Sequence, residues 1–212
     1  MKILSVNISK PTSVFVKGKE IKTGYFKNPV DQAIYLGKTD VTNDSVIDRV
    51  HHGGIDKACY LYGYNHYKFW KTKYPNLEYD FGMFGENITV ENLDETRIKI
   101  GDIFRVGDAK IQVSQPRQPC FKMGLKFKDP KIVNTFRSTT YSGIYVRVLT
   151  EGFVKKGDTL DLIEKDENAQ TVSEIFKLIY STKPKNADLE KAISNPFLAD
   201  HIKEKFTNKF KL

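Results

Sequence analysis

The sequence has very few cysteines. Only Cys59 and Cys120 occur among its 212 residues, which is too few for the disulfide framework of a small secreted protein. Long apolar runs are also lacking: none approaches membrane-spanning length, and the first residues, MKILSVNISKPTS, do not contain the apolar core of a signal peptide. These absences predict a cytoplasmic protein with no membrane-spanning segment.

Acidic residues are in the minority, since 26 Asp and Glu stand against 34 Lys and Arg and leave a formal net charge of +8. This balance is compatible with binding of nucleic acid, with an anionic cofactor, or with a solvated lysine-rich surface. The densest basic run, HIKEKFTNKFKL, alternates apolar and basic positions, which is typical of an amphipathic terminal helix. The charge alone does not choose among these alternatives.

Residues 1–165 contain many short segments that predict β-strands. These segments are rich in β-branched and aromatic residues, and most alternate in polarity: ILSVNIS, SVFVKG, IKTGYF, AIYLG, ACYLYG, ENITV, IFRVG, KIQVS, IYVRVLTEG and TLDLIE. The Gly-Asp pairs in IGDIF, VGDAK and KGDTL suit tight turns that need positive φ. We therefore expect a mainly β domain, folded as a closed or nearly closed β-barrel, with helices limited to NHYKFWKTKYP and DPKIVNTFRS.

Residues 166–212 change character and predict a small all-α appendage. After the polar segment KDENAQ, the segments TVSEIFKLIYS, NADLEKAIS and NPFLADHIKEKF have helical spacing. Thr171 followed by Glu174 has the form of a capping box. Three helices this short are marginal alone, so we expect them to pack on each other or on the barrel.

The segment VSQPRQPCFKM places Cys120 and Arg117 beside Pro116 and Pro119. Proline lacks a backbone donor and fixes φ, so the two prolines should end strand pairing and hold Arg117 and Cys120 on a stiff turn. A cation nearby favours the thiolate form, which binds metals or attacks electrophiles. The alternative is that Cys120 is inert packing in the core. Cys59, within KACYLYGY, is expected to lie buried in a strand.

A second polar cluster occurs in DRVHHGGIDKACYLY. Adjacent glycines allow a backbone that exposes several N–H groups to an anion, and the neighbouring side chains add charge and donors: Arg49, His51, His52 and Lys57. The spacing matches neither a Walker loop nor a dinucleotide fingerprint. An ordinary glycine turn with two partly exposed histidines explains the same pattern.

Four further positions have a functional and a structural interpretation. Lys22 and Thr23, in KTGYF, could meet a phosphate or a polar ring, although a lysine in a strand is usually solvated. Asn87, in FGENITV, leads into a strand and could equally belong to an ordinary turn. Arg147 interrupts the apolar strand SGIYVRVLTEG, and a buried arginine would require an anionic partner.

Metal binding by protein side chains alone has weak support in this sequence. Cys120, His51 and His52 are ligand types for zinc, but adjacent histidines rarely reach one tetrahedral ion, and no CxxC or HExxH spacing occurs. A Cys/His nucleophile pair stays open, because residues distant in sequence can meet in a barrel. No orienting acid for such a pair is evident.

Taken in order, these clusters resemble the MOSC (molybdenum cofactor sulfurase C-terminal) domain family, in particular its YiiM-like branch, the 6-N-hydroxylaminopurine resistance proteins. The matching segments are KTG, HHGGIDKACYLY, FGENITV, IGDIFRVGDAKIQVSQPRQPCFKM and SGIYVRVLTEGFVKKGD. The resemblance covers nearly the whole chain, including the three-helix appendage. HGG followed at a distance by PRxPC is specific in combination.

The resemblance implies a β-barrel that binds the molybdenum cofactor, molybdopterin carrying molybdenum, with Cys120 as the metal ligand and catalytic residue. Soft sulfur on a rigid turn suits such a ligand. It implies that the residues around the pterin and phosphate are Lys22, Thr23, Arg49, His51, His52, Lys57, Asn87, Arg117 and Arg147. The family pattern has one histidine before the glycines, which His52 matches, so His51 is a departure from it.

The activity that the resemblance implies is reduction of N-hydroxylated compounds, such as 6-N-hydroxylaminopurine, to amines. No flavin or nicotinamide motif occurs in the sequence, so the electrons are expected from a separate flavoprotein reductase, which the positive surface could dock.

Two other functions compete with this activity. One is a carrier module that holds the molybdenum cofactor or its sulfur and passes it on. The other is a basic barrel that binds nucleic acid, with aromatic side chains stacking on bases: Tyr60, Tyr62, Tyr64 and Tyr67.

Overall fold

A computed structural model describes residues 1–47 and 49–210, without the side chains of Val50 and His51. The region up to Glu164 is mainly β, as the alternating segments predict. Its strands are β1 (Ile3–Ile8), β2 (Thr12–Val16), β3 (Lys19–Thr23), β4 (Asn28–Val30), β5 (Ile34–Leu36), β6 (Cys59–Gly63), β7 (Ile88–Val90), β8 (Ile103–Val106), β9 (Ala109–Pro116), β10 (Ile144–Thr150), β11 (Gly152–Val154) and β12 (Leu160–Glu164).

Eight strands form one mixed sheet in the order β12, β8, β9, β10, β6, β7, β1, β4. Neighbours in this sheet are antiparallel except β6 and β7, which are parallel. Two smaller antiparallel pairs join β5 to β11 and β2 to β3. The longest ladder joins β9 to β10, and it brings the end of β9 at Pro116 beside Ile144 at the start of β10. The turn that carries Arg117 and Cys120 therefore leaves from the middle of the sheet.

The start of β1 meets the start of β12 at one isolated β-bridge and at further backbone hydrogen bonds, in which the Ile3 N–H donates to the Asp158 carbonyl at 2.9 Å and the Gly157 N–H donates to the Ile3 carbonyl at 3.0 Å. Lys2 pairs with Thr159 at the bridge, and the Leu160 N–H donates to the Met1 carbonyl at 2.7 Å. These contacts bring β1 against β12, but no continuous ladder joins them in the described part of the chain. Closure into a barrel therefore stays a prediction.

Glycines at the predicted Gly-Asp turns adopt the conformation that those turns require. Gly101, Gly107 and Gly157 have φ of +103°, +52° and +93°. Such positive φ values are costly for residues with a Cβ. The reading of IGD, VGD and KGD as tight turns is confirmed.

Helices occur between the strands and after them. Their bounds are α1 (Arg49–His52), α2 (Tyr67–Lys73), α3 (Phe121–Lys126), α4 (Ile132–Arg137), α5 (Val172–Tyr180), α6 (Asn186–Ser194) and α7 (Asp200–Phe210). At the start of α5 the Thr171 Oγ1 accepts from the Glu174 N–H, and the Thr171 N–H donates to the Glu174 carboxylate, which confirms the capping box. Within the described residues, no helix is both long enough and apolar enough to cross a membrane.

The three terminal helices pack on the large sheet. One apolar cluster runs from Val113 and Val146 of the sheet to Ile175 of α5 and Phe206 of α7. Helices too short to be stable alone thus bury their apolar faces against the strands. Because the same core serves both segments, the proposed division at residues 165 and 166 stays a prediction.

A second cluster is aromatic and lies behind β6. The Trp70 ring stacks on Phe136 at 5.8 Å, and its Nε1 donates to the Tyr62 hydroxyl at 2.7 Å. Tyr60, Tyr62 and Tyr67 are all buried in this part of the molecule. Three of the four tyrosines that could have stacked on nucleic acid bases are therefore core residues.

Candidate functional site

An inner cavity of about 70 Å³ opens beside β6, where several loops converge. Its lining comes from segments far apart in the sequence: Thr23, Gly24, Tyr25, Lys27, Asp44, Ser45, Val46, Ile47, His52, Lys57, Ala58, Tyr60, Gly85, Asn87, Arg117, Lys122 and Tyr145.

An outer cleft adjoins this cavity and contains Cys120. The two spaces share four lining residues, His52, Lys57, Lys122 and Tyr145. The prolines on either side of Arg117 also line the outer cleft, as the stiff-turn interpretation requires. The inner cavity and the cleft that contains Cys120 are therefore direct neighbours.

A glycine allows the loops around the inner cavity to approach each other. A Cβ placed on Gly24 would lie 1.6 Å from the Ser45 carbonyl oxygen, so any side chain there would push the two loops apart. Ser9 is bonded to both loops, because its hydroxyl contacts the Gly24 carbonyl at 2.7 Å and the Asp44 carboxylate at 2.9 Å. The KTG motif thus matters for packing of the cavity wall.

Arg117 is the most unusual charge in the cavity. Its side chain is only 3% exposed, its Nη1 has no hydrogen-bond partner among the described residues, and no described carboxylate forms an ion pair with it. Its guanidinium carbon lies 5.2 Å from the Tyr60 ring centroid and 5.5 Å from that of Tyr25. Cation–π contacts of this kind offset only part of the cost of burying a charge. A buried cation without a counter-ion indicates an anion site.

The phenols around Arg117 are hydrogen-bond donors. Burial raises the pKa of Tyr25, Tyr60 and Tyr145, so all three are neutral at physiological pH. The Tyr25 hydroxyl is buried and interacts with the Arg117 guanidinium without reaching full hydrogen-bond geometry, whereas the Tyr60 hydroxyl donates to the Ser142 carbonyl at 3.0 Å. Two orphaned polar groups, Arg117 Nη1 and Tyr25 Oη, therefore belong to residues of the same cavity.

A buried ion pair between Lys27 and Asp44 forms part of the wall of the inner cavity. The side chains are 8% and 2% exposed, and the Asp44 carboxylate also accepts from the Asn87 amide at 2.8 Å and the Ser9 N–H at 2.8 Å. Burial disfavours the charged carboxylate, but Lys27 and these hydrogen bonds outweigh it and hold the pKa of Asp44 below its ordinary value. Asn87 is fixed on its other side, where Oδ1 accepts from the Tyr60 N–H at 3.3 Å.

The two cysteines have different environments. Cys59 is fully buried on β6, as expected, and burial raises the pKa of its thiol. Cys120 directly precedes α3 and is partly exposed in the outer cleft. A thiol presented to a cleft is available as a ligand or nucleophile, whereas a buried thiol is inert.

Brief alkylation of the folded protein should therefore modify one thiol. We expect iodoacetamide to label Cys120 at least about tenfold faster than Cys59, with both labelled after unfolding. Peptide mass spectrometry at increasing times measures the two rates. Labelling of Cys59 at the rate of Cys120 before unfolding would show that β6 is not the rigid core strand described above.

The structure brings five of the predicted site residues to the inner cavity or outer cleft in addition to Cys120. The polar ones that line the inner cavity are Thr23, His52, Lys57, Asn87 and Arg117, and of these His52 and Lys57 also line the outer cleft with Cys120. Lys122, Lys27, Asp44 and Tyr145 join them without having been predicted.

Three predicted cofactor ligands lie outside the lining of both spaces. Lys22 is exposed on β3, across the hairpin from Ser13. Arg49 forms an exposed ion pair with Asp40. Arg147 does have the anionic partner that its strand context demanded, because its Nε donates to the Asp56 carboxylate at 2.5 Å and its Nη1 to the Phe197 carbonyl at 2.6 Å.

Metal binding by side chains alone finds no support in the described residues. No group of three His, Cys, Asp or Glu side chains is arranged to hold an ion there. The side chain of His51, which the zinc hypothesis included, lies outside the described residues.

The comparison with protein families decides the relationship. A model described as the MOSC domain matches residues 48–161, which include the glycine cluster, β6 and Cys120. The chain belongs to the MOSC family. A protein of Bacillus subtilis, YflK, is 37% identical over 207 residues, covering 98% of this chain and 93% of its own length.

Two further relatives place this MOSC protein more closely. The crystal structure of YiiM from Geobacillus stearothermophilus superposes with a TM-score of 0.83 at 32% identity, covering 98% of both chains, so the protein is YiiM-like over its whole described length. A protein of Gibberella moniliformis named "Reductase" is 33% identical over 165 residues, which is 76% of this chain and 29% of the fungal protein.

Proposed function

We propose that this MOSC protein binds the molybdenum cofactor and reduces N-hydroxylated compounds to amines. In this reaction RNHOH takes up two electrons and two protons and yields RNH2 and water. The observation that carries the proposal is the pair of orphaned polar groups in one buried cavity, Arg117 Nη1 and Tyr25 Oη, beside a thiol presented to the adjoining cleft. The substrate class rests on the family resemblance.

The residues fit a ligand with a phosphate and a polar ring system. Arg117, Lys57 and Lys122 supply positive charge around the inner cavity, and Thr23, Tyr25 and Asn87 supply polar groups from other loops. Cationic donors converging from several segments suit a phosphate, since charge-assisted hydrogen bonds are about twice as strong as neutral ones. In this proposal the Cys120 thiolate completes the ligand set of the metal.

The division of labour follows from this placement. When bound, the cofactor supplies two-electron redox chemistry at molybdenum. Arg117 and the neutral phenols of Tyr25 and Tyr145 orient the ligand, and the aromatic cluster behind β6 excludes water from that side of the cavity. Electrons would come from a separate flavoprotein reductase. The match to part of a longer protein named "Reductase" supports a redox role for a domain of this kind.

Replacing Arg117 tests the cofactor site. We expect Arg117→Gln, purified from a cofactor-producing host, to retain about tenfold to a hundredfold less molybdenum than the wild type, because one or two charge-assisted hydrogen bonds of about 1.5–3 kcal/mol each are lost. The free energy of unfolding of the cofactor-free protein should not fall, since a buried charge without a counter-ion is removed. Elemental mass spectrometry and urea denaturation measure the two quantities.

The matched control is Arg105→Gln, which removes an exposed cation on β8 outside the cavity. It should retain wild-type molybdenum content. Equal molybdenum in all three proteins would remove Arg117 from the cofactor site, and no molybdenum in any of them, despite proven cofactor supply, would overturn the proposal. Molybdenum retained in the wild type without turnover of any N-hydroxylated substrate would favour the carrier function.

A further inference from the structure

A second pair of cations, Arg137 and Lys205, lies beside the outer cleft. Arg137, at the end of α4, lines the outer cleft, and its guanidinium carbon lies 5.3 Å from the centroid of the Tyr180 ring. Lys205 of α7 approaches the same ring at 5.9 Å, and its Nζ donates to Gln118 Oε1 at 2.8 Å. Gln118 is itself a residue of the outer cleft. Two cations from separate helices therefore converge at one ring beside this cleft.

These two cations have no acidic partner within the described part of the chain. None of the ion pairs found there involves Arg137 or Lys205. Partial burial lowers the pKa of Lys205, and the charges of Lys209 and Arg137 lower it further, so the positive charges act on one another. Like charges brought together without a counter-ion cost free energy unless an anion is bound between them.

The cleft beside this pair of cations has an apolar surface. Phe121 is 52% exposed beside Cys120, and Pro119, Pro130 and Val133 line the same space. Exposed aromatic and apolar side chains of this kind stack against flat rings. The cleft thus offers a ring-binding surface near the thiol and, in Arg137, a cation that lines the same space.

We propose that the outer cleft binds a nucleoside monophosphate, with the base over Phe121 and Cys120 and the phosphate at Arg137 and Lys205. This inference rests on the proposed function and specifies its substrate class: the N-hydroxylated base is reduced as its nucleotide. The bond that breaks is the N–O bond, two electrons come from the flavoprotein reductase, and two protons accompany the oxygen into water. The carboxy-terminal helix α7 then belongs to the substrate site.

Calorimetric titration of protein from a cofactor-producing host tests the phosphate position. Adenosine 5′-monophosphate should bind wild type at least about tenfold more tightly than adenosine does, because the phosphate gains charge-assisted hydrogen bonds. Arg137→Gln and Lys205→Gln should each weaken monophosphate binding about tenfold and leave adenosine binding unchanged. Arg105→Gln, which removes an exposed cation on β8, is the matched control and should change neither.

Two results would overturn the inference. One is equal affinity for adenosine and its monophosphate. The other is monophosphate binding that is lost in Arg117→Gln but kept in both Arg137→Gln and Lys205→Gln, because the phosphate would then occupy the inner cavity. Inorganic phosphate, added as a competitor in the monophosphate titration, distinguishes the outer site from the inner cavity: competition that is lost in Arg137→Gln supports the outer site.

The titration is independent of turnover. Monophosphate binding that depends on Arg137, in protein without molybdenum, supports the nucleotide site while the proposed redox function fails. Reduction of N-hydroxylated bases with the same KM for base and monophosphate, unchanged in Arg137→Gln, leaves the proposed function intact and overturns the nucleotide site.

Discussion

Cys120→Ser should fold normally, and its reductase turnover should be at least about a hundredfold lower than that of the wild type. Cys120 is partly exposed in the outer cleft, makes no side-chain hydrogen bond that caps α3 and packs only at the edge of the aromatic cluster, so the exchange of sulfur for oxygen removes little structural contact. A serine hydroxyl is a hard, neutral ligand and replaces a soft thiolate poorly. Loss of even an outer partner of a metal ligand typically costs about 10–100-fold, and loss of the ligand itself should cost more.

Cys59→Ser is the matched control for this prediction. It makes the same chemical change on β6, where the side chain is fully buried. We expect it to lower the free energy of unfolding by about 1–3 kcal/mol, because a hydroxyl is buried in an apolar core, and to keep wild-type turnover per folded molecule. Cys120→Ser should thus lose turnover and keep its stability, whereas Cys59→Ser should lose stability and keep its turnover. Loss of folding in Cys120→Ser would return this cysteine to the inert-core interpretation.

Local patterns predicted most of the secondary structure. The segments ACYLYG, ENITV, IFRVG, KIQVS and TLDLIE correspond to β6, β7, β8, β9 and β12, because alternation and turn glycines are properties of neighbouring residues. The helix α3 was missed, since Phe121–Lys126 directly follows a proline-rich turn and is only six residues long. IKTGYF was read as one strand, but β3 ends at Thr23, where the chain turns into the cavity wall.

The residues of the candidate site were harder to predict from local sequence patterns than the secondary structure. Cys120 and Arg117 were found because prolines mark a rigid turn, and that turn does lead to the cleft. Lys27 and Asp44 are 17 residues apart in unremarkable loops, and only the tertiary fold joins them. Arg147 illustrates the opposite case: its strand context predicted an anionic partner, but not that the partner would be Asp56 of this chain.

Asp44→Asn should cause the largest loss of stability among single substitutions at the cavity, about 3–5 kcal/mol. The change leaves the Lys27 ammonium buried without a counter-ion, and breaking a buried ion pair by removing one partner typically costs this much. Urea denaturation at neutral pH measures the difference. Asp40→Asn, which breaks the exposed pair with Arg49, is the matched control and should cost at most about 1 kcal/mol.

The stability difference between wild type and Asp44→Asn should depend on pH in one direction. Because the pKa of Asp44 is lowered in the folded protein, its stabilising contribution is complete above the ordinary aspartate value of about 3.9 and is lost as the pH falls through the lower folded value. The difference should therefore be constant from neutral pH down to about 5 and shrink below about 4. A stability difference that instead grows on acidification would mean that Asp44 is protonated in the folded state. Asn87 would then be positioned by a hydrogen bond to a neutral carboxyl group rather than to a carboxylate.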